Sequence, residues 1–245
     1  MPANFELRSF PDDQALSAAA AHDWLTQLQK SSGPHTVALS GGRIAKTFFT
    51  AVTNLAKSSG ATLSNVQFFW ADERCVQPTD AESNFRLAWE NLLQPLGISR
   101  DNIHRLKGER IPSAAVSEAS SDIRRMVPSD RAGVPILDMV FLGLGENGHI
   151  ASLMPNAVPA VLESNEPYAY ISNSPKPPLD RLTMTYPVLA AAKNVWALVT
   201  GAGKAQALRE SLSPSGETPF ARVLRSRGQT LIYTDLNEIA AARSK

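Results

Sequence analysis

The chain has 245 residues, 43% of them hydrophobic and 19% charged, and its formal net charge is +1. This composition is typical of a globular protein with a large core, and the near-neutral charge excludes a broad basic field for nucleic acid. One cysteine excludes an internal disulfide, and we find neither an apolar run of membrane-helix length nor a secretory signal. The local basic cluster Arg222, Arg225 and Arg227 is interpreted as a solvated face. We therefore expect a cytoplasmic protein that binds neither nucleic acid nor membranes.

Helix and strand patterns alternate along the chain. Asp12 can cap a helix whose apolar residues recur every fourth position as far as Leu28. The short run 36–39 predicts a strand, the apolar residues between 45 and 55 repeat with the helical period, and residues 66–71 have strand character. The further predicted elements are helices at 85–93 and 113–127, strands at 137–144, 168–172, 182–185, 195–200 and 230–234, and helices at 204–212 and 236–242.

The apolar run 137–144 is typical of a strand that is buried on both faces of a parallel sheet. Together with the alternation of strands and helices, it predicts one three-layer Rossmann-like α/β domain over residues 1–245 with a largely parallel sheet. The proline-rich stretch 156–187 is expected to be less regular.

Three junctions share the order strand, glycine-containing turn and helix start: 39–43, 143–149 and 200–204. Glycine lets the backbone approach a ligand closely, and the unpaired N–H groups of a helix start bind anions. Arg43 and Lys204 stand at two of these helix starts, where the helix dipole disfavours a cation unless an anion is bound. If the strands are parallel, the junctions meet at one edge of the sheet. The sequence therefore predicts a site for a small molecule that carries a phosphate.

His149 directly follows the glycine-rich loop 143–148, and residues 150–153 can begin a helix that Pro155 soon ends. A histidine at the carboxyl end of a central strand can act as a base, because its ordinary pKa of about 6.5 lies near neutral pH. A lone histidine is also common as a surface or capping residue, so this prediction depends on the other junctions.

Other chemistries lack their motifs. The GxxxxGK[ST] spacing of a phosphate-binding loop and the GxSxG elbow of serine hydrolases are absent, and 143–148 matches a dinucleotide fingerprint by its letters only. Cys75 follows an arginine but has no histidine partner in the sequence, so it is interpreted as a passive thiol. The four histidines show no metal-ligand spacing. We therefore expect no metal and no cofactor. Of the chemistries considered, the one left is activation of a water molecule by His149 as a general base.

Five segments between Leu39 and Tyr233 form a specific combination: FFWADERCV, SNFRL, PLGISRDNIHRLKGE, GLGENGHIASLMP and KPPLDRLTMTYPVLAAAKNVWALVTGAGKA. Together they resemble the 6-phosphogluconolactonase family, whose fold is of the sugar-phosphate isomerase type. The resemblance implies hydrolysis of 6-phospho-D-glucono-1,5-lactone to 6-phosphogluconate, in the oxidative pentose phosphate pathway, without a cofactor. A δ-lactone is an activated ester, so a positioned water, one base and donors for the developing oxyanion would suffice.

The resemblance also implies roles for individual residues. His149 matches the general base. The positions tied to the substrate and its phosphate are Arg74, Asn84, Arg86, Lys176, Arg181 and Lys204, and the phosphate-side turn matches Ser40, Gly41 and Gly42. Asp72, beside this set in the chain, either contacts the ligand or fixes Arg74.

Two positions depart from the family pattern. Asn147 stands where the family usually has aspartate, two residues before the histidine. An amide can orient an imidazole by hydrogen bonds but cannot stabilise an imidazolium by charge. Arg43 replaces a serine or threonine after the glycine pair, which exchanges a hydroxyl for a cation. We expect lower activity than is usual in the family, unless Glu146 partly compensates.

Two other functions stay open. A non-catalytic sugar-phosphate sensor would bind the same class of ligand, although the sequence has no helix-turn-helix segment to spare and the base is retained. A glucosamine-6-phosphate deaminase would carry a glutamate five residues after the histidine, and here that position is Met154, which cannot perform acid–base chemistry. The expected partner is a small sugar phosphate, and we expect a monomer or a weak homo-oligomer.

Overall fold

The computed structural model describes residues 5–30, 33–155, 161 and 164–239. Its main feature is a six-stranded sheet in which every neighbouring pair of strands is parallel. In chain order the strands are β1 (Phe5–Ser9), β2 (His35–Leu39), β3 (Val66–Trp70), β4 (Asp72–Arg74), β5 (Met139–Gly143), β6 (Tyr168–Ile171), β7 (Arg181–Met184), β8 (Asn194–Val199) and β9 (Thr230–Thr234). The order in the large sheet is β1-β9-β8-β5-β2-β3, which confirms the predicted α/β fold with a largely parallel sheet.

Helices connect these strands. They are α1 (Asp13–Gln29), α2 (Arg43–Ser59), α3 (Asn84–Ala88), α4 (Pro112–Met126), α5 (Tyr186–Ala191), α6 (Ala205–Ser211) and α7 (Pro219–Arg225), with a π-helical turn at Trp89–Leu93 and 3-10 turns at Arg100–Asn102 and Ala202–Lys204. The carboxylate of Asp12 caps α1 by accepting from the N–H of Ala15 at 2.8 Å, and α2 ends at Gly60 in the left-handed conformation. Within the described ranges, none of the helices has the length and apolar character needed to cross a membrane.

The central strands are apolar because both of their faces are covered. All five residues of β2 and four of the five in β5 are buried, as expected for parallel strands between layers of helices. Trp24 of α1, Phe48 of α2 and Phe141 of β5 form one aromatic cluster. The ring centroids lie 5.0 Å apart between Trp24 and Phe141 and 4.7 Å apart between Phe48 and Phe141. This cluster joins the first two helices to the middle of the sheet.

A second, antiparallel sheet of β4, β7 and β6 lies at the carboxyl end of β3. Only Ala71 separates β3 from β4, so the chain passes directly from one sheet into the other. The N–H of Ala71 donates to the carbonyl of Leu39 at 2.8 Å, and its carbonyl accepts from the N–H of Met184 at 2.7 Å. The short strands predicted within 156–187 are therefore confirmed, and they form a sheet of their own beside the large one.

Some local predictions were wrong or incomplete. Residues 150–153 do not begin a helix, because Ile150 and Leu153 form an isolated antiparallel bridge around a turn in which Ala151 has a φ of 47°. The sequence pattern does not indicate β1, α5 or α7; β1 is an edge strand whose half-exposed side chains form no apolar run. The predicted helix 236–242 lies partly outside the described residues.

The basic cluster near the end of the chain is only in part the solvated face that the sequence suggested, since Arg225 is exposed and Arg227 is not. Arg227 is buried, and its Nη1 donates to the carbonyls of Leu189 and Ala192 at 3.2 and 2.9 Å. It thus satisfies carbonyl groups at the C-terminal end of α5. Arg222 stacks over an aromatic ring and Arg225 donates to a backbone carbonyl.

Candidate active site

A cleft of about 440 Å³ lies at the carboxyl ends of β2 and β5. These strands are neighbours in the sheet, but the chain leaves them in opposite directions, since β2 leads to β3 on one side and β5 leads to β8 and β9 on the other. Open α/β sheets bind ligands at such a switch point. The residues predicted from the sequence that line this cleft are Ser40, Gly41, Gly42, Arg43, Asp72, Arg74, Asn84, His149, Arg181 and Lys204.

The turn after β2 needs glycine at two positions. A Cβ on Gly41 would lie 1.7 Å from Oδ1 of Asn84, and Gly42 has a φ of 97°. Gly42 also forms the N-cap of α2, where no side chain accepts from the first N–H groups of the helix. Because this turn lines the cleft, these groups are available to an anion. The hydroxyl of Ser40 is instead used within the fold, since it donates to the carbonyl of Phe141 at 2.8 Å.

His149 is oriented by the loop that precedes it. Its Nδ1 lies 2.5 Å from Oδ1 of Asn147, and its backbone N–H donates to the same oxygen at 3.3 Å. Because a backbone N–H can only donate, the amide of Asn147 presents its oxygen to the ring, which therefore carries its proton on Nδ1 and its lone pair on Nε2. A Cβ on Gly145 would lie 1.9 Å from Nδ1, so only glycine leaves room for the ring.

The surroundings of His149 keep its imidazole neutral. Its pKa is lowered to about 4, mainly by burial, with an opposing effect of the carboxylate of Asp72 and further lowering by the charges of Lys204, Arg181 and Lys176. A neutral imidazole with a free Nε2 has the protonation state that a general base needs at neutral pH.

Two guanidinium groups stand side by side at one wall of the cleft. Arg74 and Arg181 are direct partners in the antiparallel pair β4–β7, and both line the cleft. Arg181 is 5% exposed, and its Nε and Nη2 donate to the carbonyls of Pro178 and Lys176 at 3.1 and 3.0 Å. Burial and the charge of Arg74 lower the pKa of Arg181. Like charges placed directly opposite each other destabilise a sheet, so this wall favours a negatively charged ligand.

Two further cations come from the other junctions. Nη2 of Arg43 lies 3.0 Å from the position that a Cβ on Gly201 would take, so its guanidinium rests on the turn that leads to Lys204. Neither Arg43 nor Lys204 forms a side-chain hydrogen bond or ion pair within the described ranges. Burial lowers the pKa of Lys204, the carboxylate of Glu146 raises it, and the charges of Lys176 and Arg43 lower it further. These two cations are therefore free to bind a phosphate.

A buried hydrogen-bond network connects the loops around the cleft. Asp72 is 5% exposed; its Oδ2 accepts from Oγ of Ser152 at 2.7 Å, and its Oδ1 accepts from Nδ2 of Asn84 at 3.2 Å. Because Ser152 follows His149 by three residues, this carboxylate ties the histidine loop to β4. The sequence does not indicate the role of Ser152, since its partner lies 80 positions away in the chain.

Glu146 faces the lysines rather than His149. Its Oε2 lies 3.9 Å from Nζ of Lys176, at the rim of the cleft, and its charge acts on Lys204. Its contacts therefore do not support the expected compensation for the missing charge of Asn147.

Arg86 does not line the cleft. Its Nε pairs with the carboxylate of Glu90 at 2.7 Å, and its Nη1 donates to the carbonyl of Thr79 at 2.9 Å. A substrate role for Arg86 gains no support from this position, so we leave it out of the site proposed below.

Three other features of the described structure were candidates for a functional site, and none has the groups that such a site needs. A larger hollow of about 620 Å³ beside α4 is lined by charged groups that pair with each other, such as Lys107 with Glu118 and Arg125 with Asp122. Cys75 is half-buried, and burial raises its pKa to about 11, which agrees with a passive thiol. No group of three acidic, histidine or cysteine side chains in the described part of the chain is placed to hold a metal ion.

Comparisons with known proteins identify the family of the chain. The sequence model of a family described as "Glucosamine-6-phosphate isomerases/6-phosphogluconolactonase" matches residues 11–232. "Probable 6-phosphogluconolactonase 3, chloroplastic" of Oryza sativa subsp. japonica is 34% identical over 216 residues, which cover 83% of this chain and 64% of the relative. "6-phosphogluconolactonase" of Streptomyces coelicolor is 32% identical over 234 residues, which cover 91% of this chain and 89% of the relative.

The fold is also similar to that of a solved structure. The crystal structure of the devB protein superposes with a TM-score of 0.88 at 31% identity, covering 97% of this chain and 99% of that one. The overall fold is therefore shared with that protein over nearly the whole of both chains.

Proposed function

The chain belongs to the glucosamine-6-phosphate isomerase/6-phosphogluconolactonase family, and on this basis we propose that it hydrolyses 6-phospho-D-glucono-1,5-lactone to 6-phosphogluconate. This is the lactone-opening reaction of the oxidative pentose phosphate pathway. Relatives that carry the name 6-phosphogluconolactonase support the proposal. The observation that carries it is a neutral imidazole, whose Nε2 has no hydrogen-bond partner among the described residues, in a cleft that also contains two separate pairs of cations.

In the proposed reaction His149 acts as the general base on a water molecule. Nε2 takes a proton from the water while the water oxygen attacks the carbonyl carbon of the lactone, which forms a tetrahedral oxyanion. The oxyanion collapses by breaking the bond to the ring oxygen, and that oxygen takes the proton from the imidazolium. Asn147 keeps the Nδ1 proton in place throughout. A general base contributes about 10²–10⁴-fold, which is substantial for an ester that is already activated.

Arg74 and Arg181 are proposed to stabilise the charge that develops on the lactone oxygen. Both groups are fixed before substrate binds, because Arg181 donates to two backbone carbonyls and Nη1 of Arg74 donates to the carbonyl of Glu82 at 2.6 Å. Donors that need no rearrangement in the transition state are worth about 10²–10³-fold each in comparable sites.

Arg43, Lys204 and the N-terminus of α2 are proposed to bind the phosphate. The two side chains carry free charges next to glycine turns, and the helix adds its unpaired N–H groups. Lys176 lies at the rim and would close the site from outside. A dianionic phosphate would thus be held at one end of the cleft while the lactone carbonyl faces His149.

The test is a lactone-hydrolysis assay measured against the spontaneous rate. We expect His149→Ala to abolish the enzymatic excess while calorimetry still detects binding of 6-phosphogluconate. His22→Ala is the matched control, because that side chain is 71% exposed and lies outside the cleft. Full activity in His149→Ala would refute the role of the base.

Two other outcomes would assign a different function. Tight binding of 6-phosphogluconate without any hydrolytic excess in the unmodified protein would indicate a sensor. Release of ammonia from glucosamine 6-phosphate would indicate a deaminase. We do not expect this result, because Met154 stands where the deaminase chemistry needs an acid.

We also propose that residues 1–245 act as one domain, in the cytoplasm, as a monomer or weak homo-oligomer. Light scattering at several protein concentrations tests the assembly, and limited proteolysis tests the single domain.

A further inference from the structure

Glu73 stands between two cleft residues but does not line the cleft. Side chains of a strand alternate between its faces, so in β4 the residues Asp72 and Arg74 share the cleft side and Glu73 takes the other. Its side chain is 2% exposed, and no salt bridge of this carboxylate occurs within the described ranges. A buried carboxylate next to a site, without a cation in direct contact with it among the described residues, needs another explanation.

Four donors converge on this carboxylate. Oε1 accepts from the backbone N–H of Arg74 at 2.7 Å and from that of Asn84 at 2.8 Å. Oε2 accepts from the N–H of Phe85 at 2.8 Å and from the hydroxyl of Ser83 at 3.0 Å. Burial raises the pKa of Glu73 to about 7, and the four donors oppose this shift. Such a set of donors satisfies the ionised form, which only accepts.

These bonds close the loop 75–83 at both of its ends. One oxygen of Glu73 holds the backbone of Arg74, where the loop begins, and the same oxygen holds the backbone of Asn84, where α3 begins. The carboxylate therefore also serves as part of the N-cap of α3, together with Ser83.

Both anchored residues present their side chains to the cleft. The amide of Asn84 donates to the backbone carbonyl of Asp72 at 2.9 Å, and its oxygen fills the space beside Gly41. Arg74 is partner to Arg181 across the sheet. A shift of α3 by a fraction of an ångström would move an amide that is packed against the phosphate-side turn.

We propose that Glu73 is a positioning residue that fixes Arg74 and Asn84 relative to each other and thereby sets the affinity for the substrate. This inference rests on the function proposed above for the same cleft. Because Glu73 does not line the cleft, it acts on binding more than on proton transfer.

The test is the variant Glu73→Gln, which keeps the size of the side chain but replaces one accepting oxygen by an amino group. Two of the four donors then lose their acceptor. We expect KM for the lactone and Kd for 6-phosphogluconate to rise about tenfold, which corresponds to about 1.4 kcal/mol of binding free energy, while kcat falls less than about threefold.

Asp138→Asn is the matched control. Asp138 is a carboxylate at the opposite end of the sheet that accepts from the N–H and hydroxyl of Thr36, both at 2.9 Å, and pairs with Lys193 at 2.7 Å. We expect this variant to lower the unfolding midpoint without changing KM. An unchanged KM in folded Glu73→Gln, or an equal rise in KM for Asp138→Asn, would overturn the proposal.

A second variant covers the case in which Glu73→Gln does not fold. Ser83→Ala removes one donor to the carboxylate and also the hydroxyl that accepts from the N–H of Arg86 in the N-cap of α3. We expect KM to rise about threefold with kcat unchanged; no rise would count against the proposal. The binding measurement separates this inference from the proposed function. If the unmodified protein binds 6-phosphogluconate but does not hydrolyse the lactone, only the enzymatic function fails, and a normal Kd in Glu73→Gln would refute the role of Glu73 alone.

Discussion

Arg74 and Arg181 are direct partners across β4 and β7; backbone carbonyls hold both guanidinium groups, and Arg74 also forms a single ion pair with Glu82 at 3.5 Å. The repulsion between these two cations is relieved when an anion enters the cleft. This repulsion lowers the free energy of unfolding of the ligand-free protein. Binding of an anion removes the repulsion and so stabilises the fold.

Arg181→Met is expected to weaken the binding of 6-phosphogluconate at least about tenfold, because a charged hydrogen bond of about 1.5–3 kcal/mol is lost. In the unmodified protein, ligand at about 100 times its Kd stabilises the fold by about 2.7 kcal/mol, and the variant should show a smaller gain at the same concentration. Calorimetry and thermal unfolding measure both effects. Arg125→Met, at a 71% exposed side chain, is the control, and equal affinities in the two variants would contradict the assignment.

Asn147→Asp is expected to raise both the pKa of His149 and the turnover number. The carboxylate would stand where the amide oxygen now lies 2.5 Å from Nδ1, and an opposite charge at this distance raises an imidazole pKa by about 1–3 units. Activity is lost as pH falls through this pKa, because the protonated ring cannot act as base. The acid limb of kcat/KM, expected near pH 4 in the unmodified protein, should therefore move to higher pH.

A pH profile of kcat/KM and an NMR titration of the ring measure this shift. Glu146→Gln serves as the control, because that carboxylate lies against Lys176 and should leave the acid limb in place. An unchanged or lower turnover in Asn147→Asp would count against the role given to this position.

Gly145→Ala is expected to lower kcat by a factor of about 10² or more, because a misplaced base loses most of its contribution. A Cβ at this position would lie 1.9 Å from Nδ1 of His149, so the ring has to turn away from Asn147. Gly228→Ala is the control, since a Cβ there meets no atom within 4 Å. Steady-state kinetics and circular dichroism separate loss of the base from loss of the fold; normal activity in Gly145→Ala would show that the ring can work from another position.

Arg227→Met is expected to destabilise the protein by about 2–4 kcal/mol without changing KM, because carbonyl groups at the end of α5 lose their buried donor. Denaturant unfolding gives this difference in free energy. The exposed ion pair of Arg110 with Glu118 provides the comparison, and Arg110→Met should change the stability by less than about 1 kcal/mol. A similar loss of unfolding free energy in both variants would show that the contacts of Arg227 with the end of α5 contribute no more than an exposed ion pair.

The sequence predicts most of the features that depend on short-range patterns. The buried run around Met139–Gly143 and the helical period within α2 are set by local alternation of apolar residues, and both elements are found close to the predicted bounds. Glycine before Arg43 and before His149 marks the turns correctly, because the need for a residue without Cβ is local.

Long-range contacts explain what the sequence does not reveal. The bonds of Asp72 to Ser152 and of Arg227 to Leu189 join positions 80 and 38 residues apart, and no spacing rule connects them. Arg86 was predicted to be a site residue together with Asn84, its neighbour in the motif. In the structure its guanidinium instead pairs with the carboxylate of Glu90. The roles of the site residues themselves stay predictions until the variants are measured.

The position of β1 has a consequence for how the protein is made. β1 lies at the edge of the large sheet and pairs there with β9, so that Phe5 stands opposite Thr230. On the ribosome β1 is made before all the other described strands, and its partner β9 is the last of them to be translated. The charged side chains of Glu6 and Arg8 discourage other nascent chains from pairing with it during that interval.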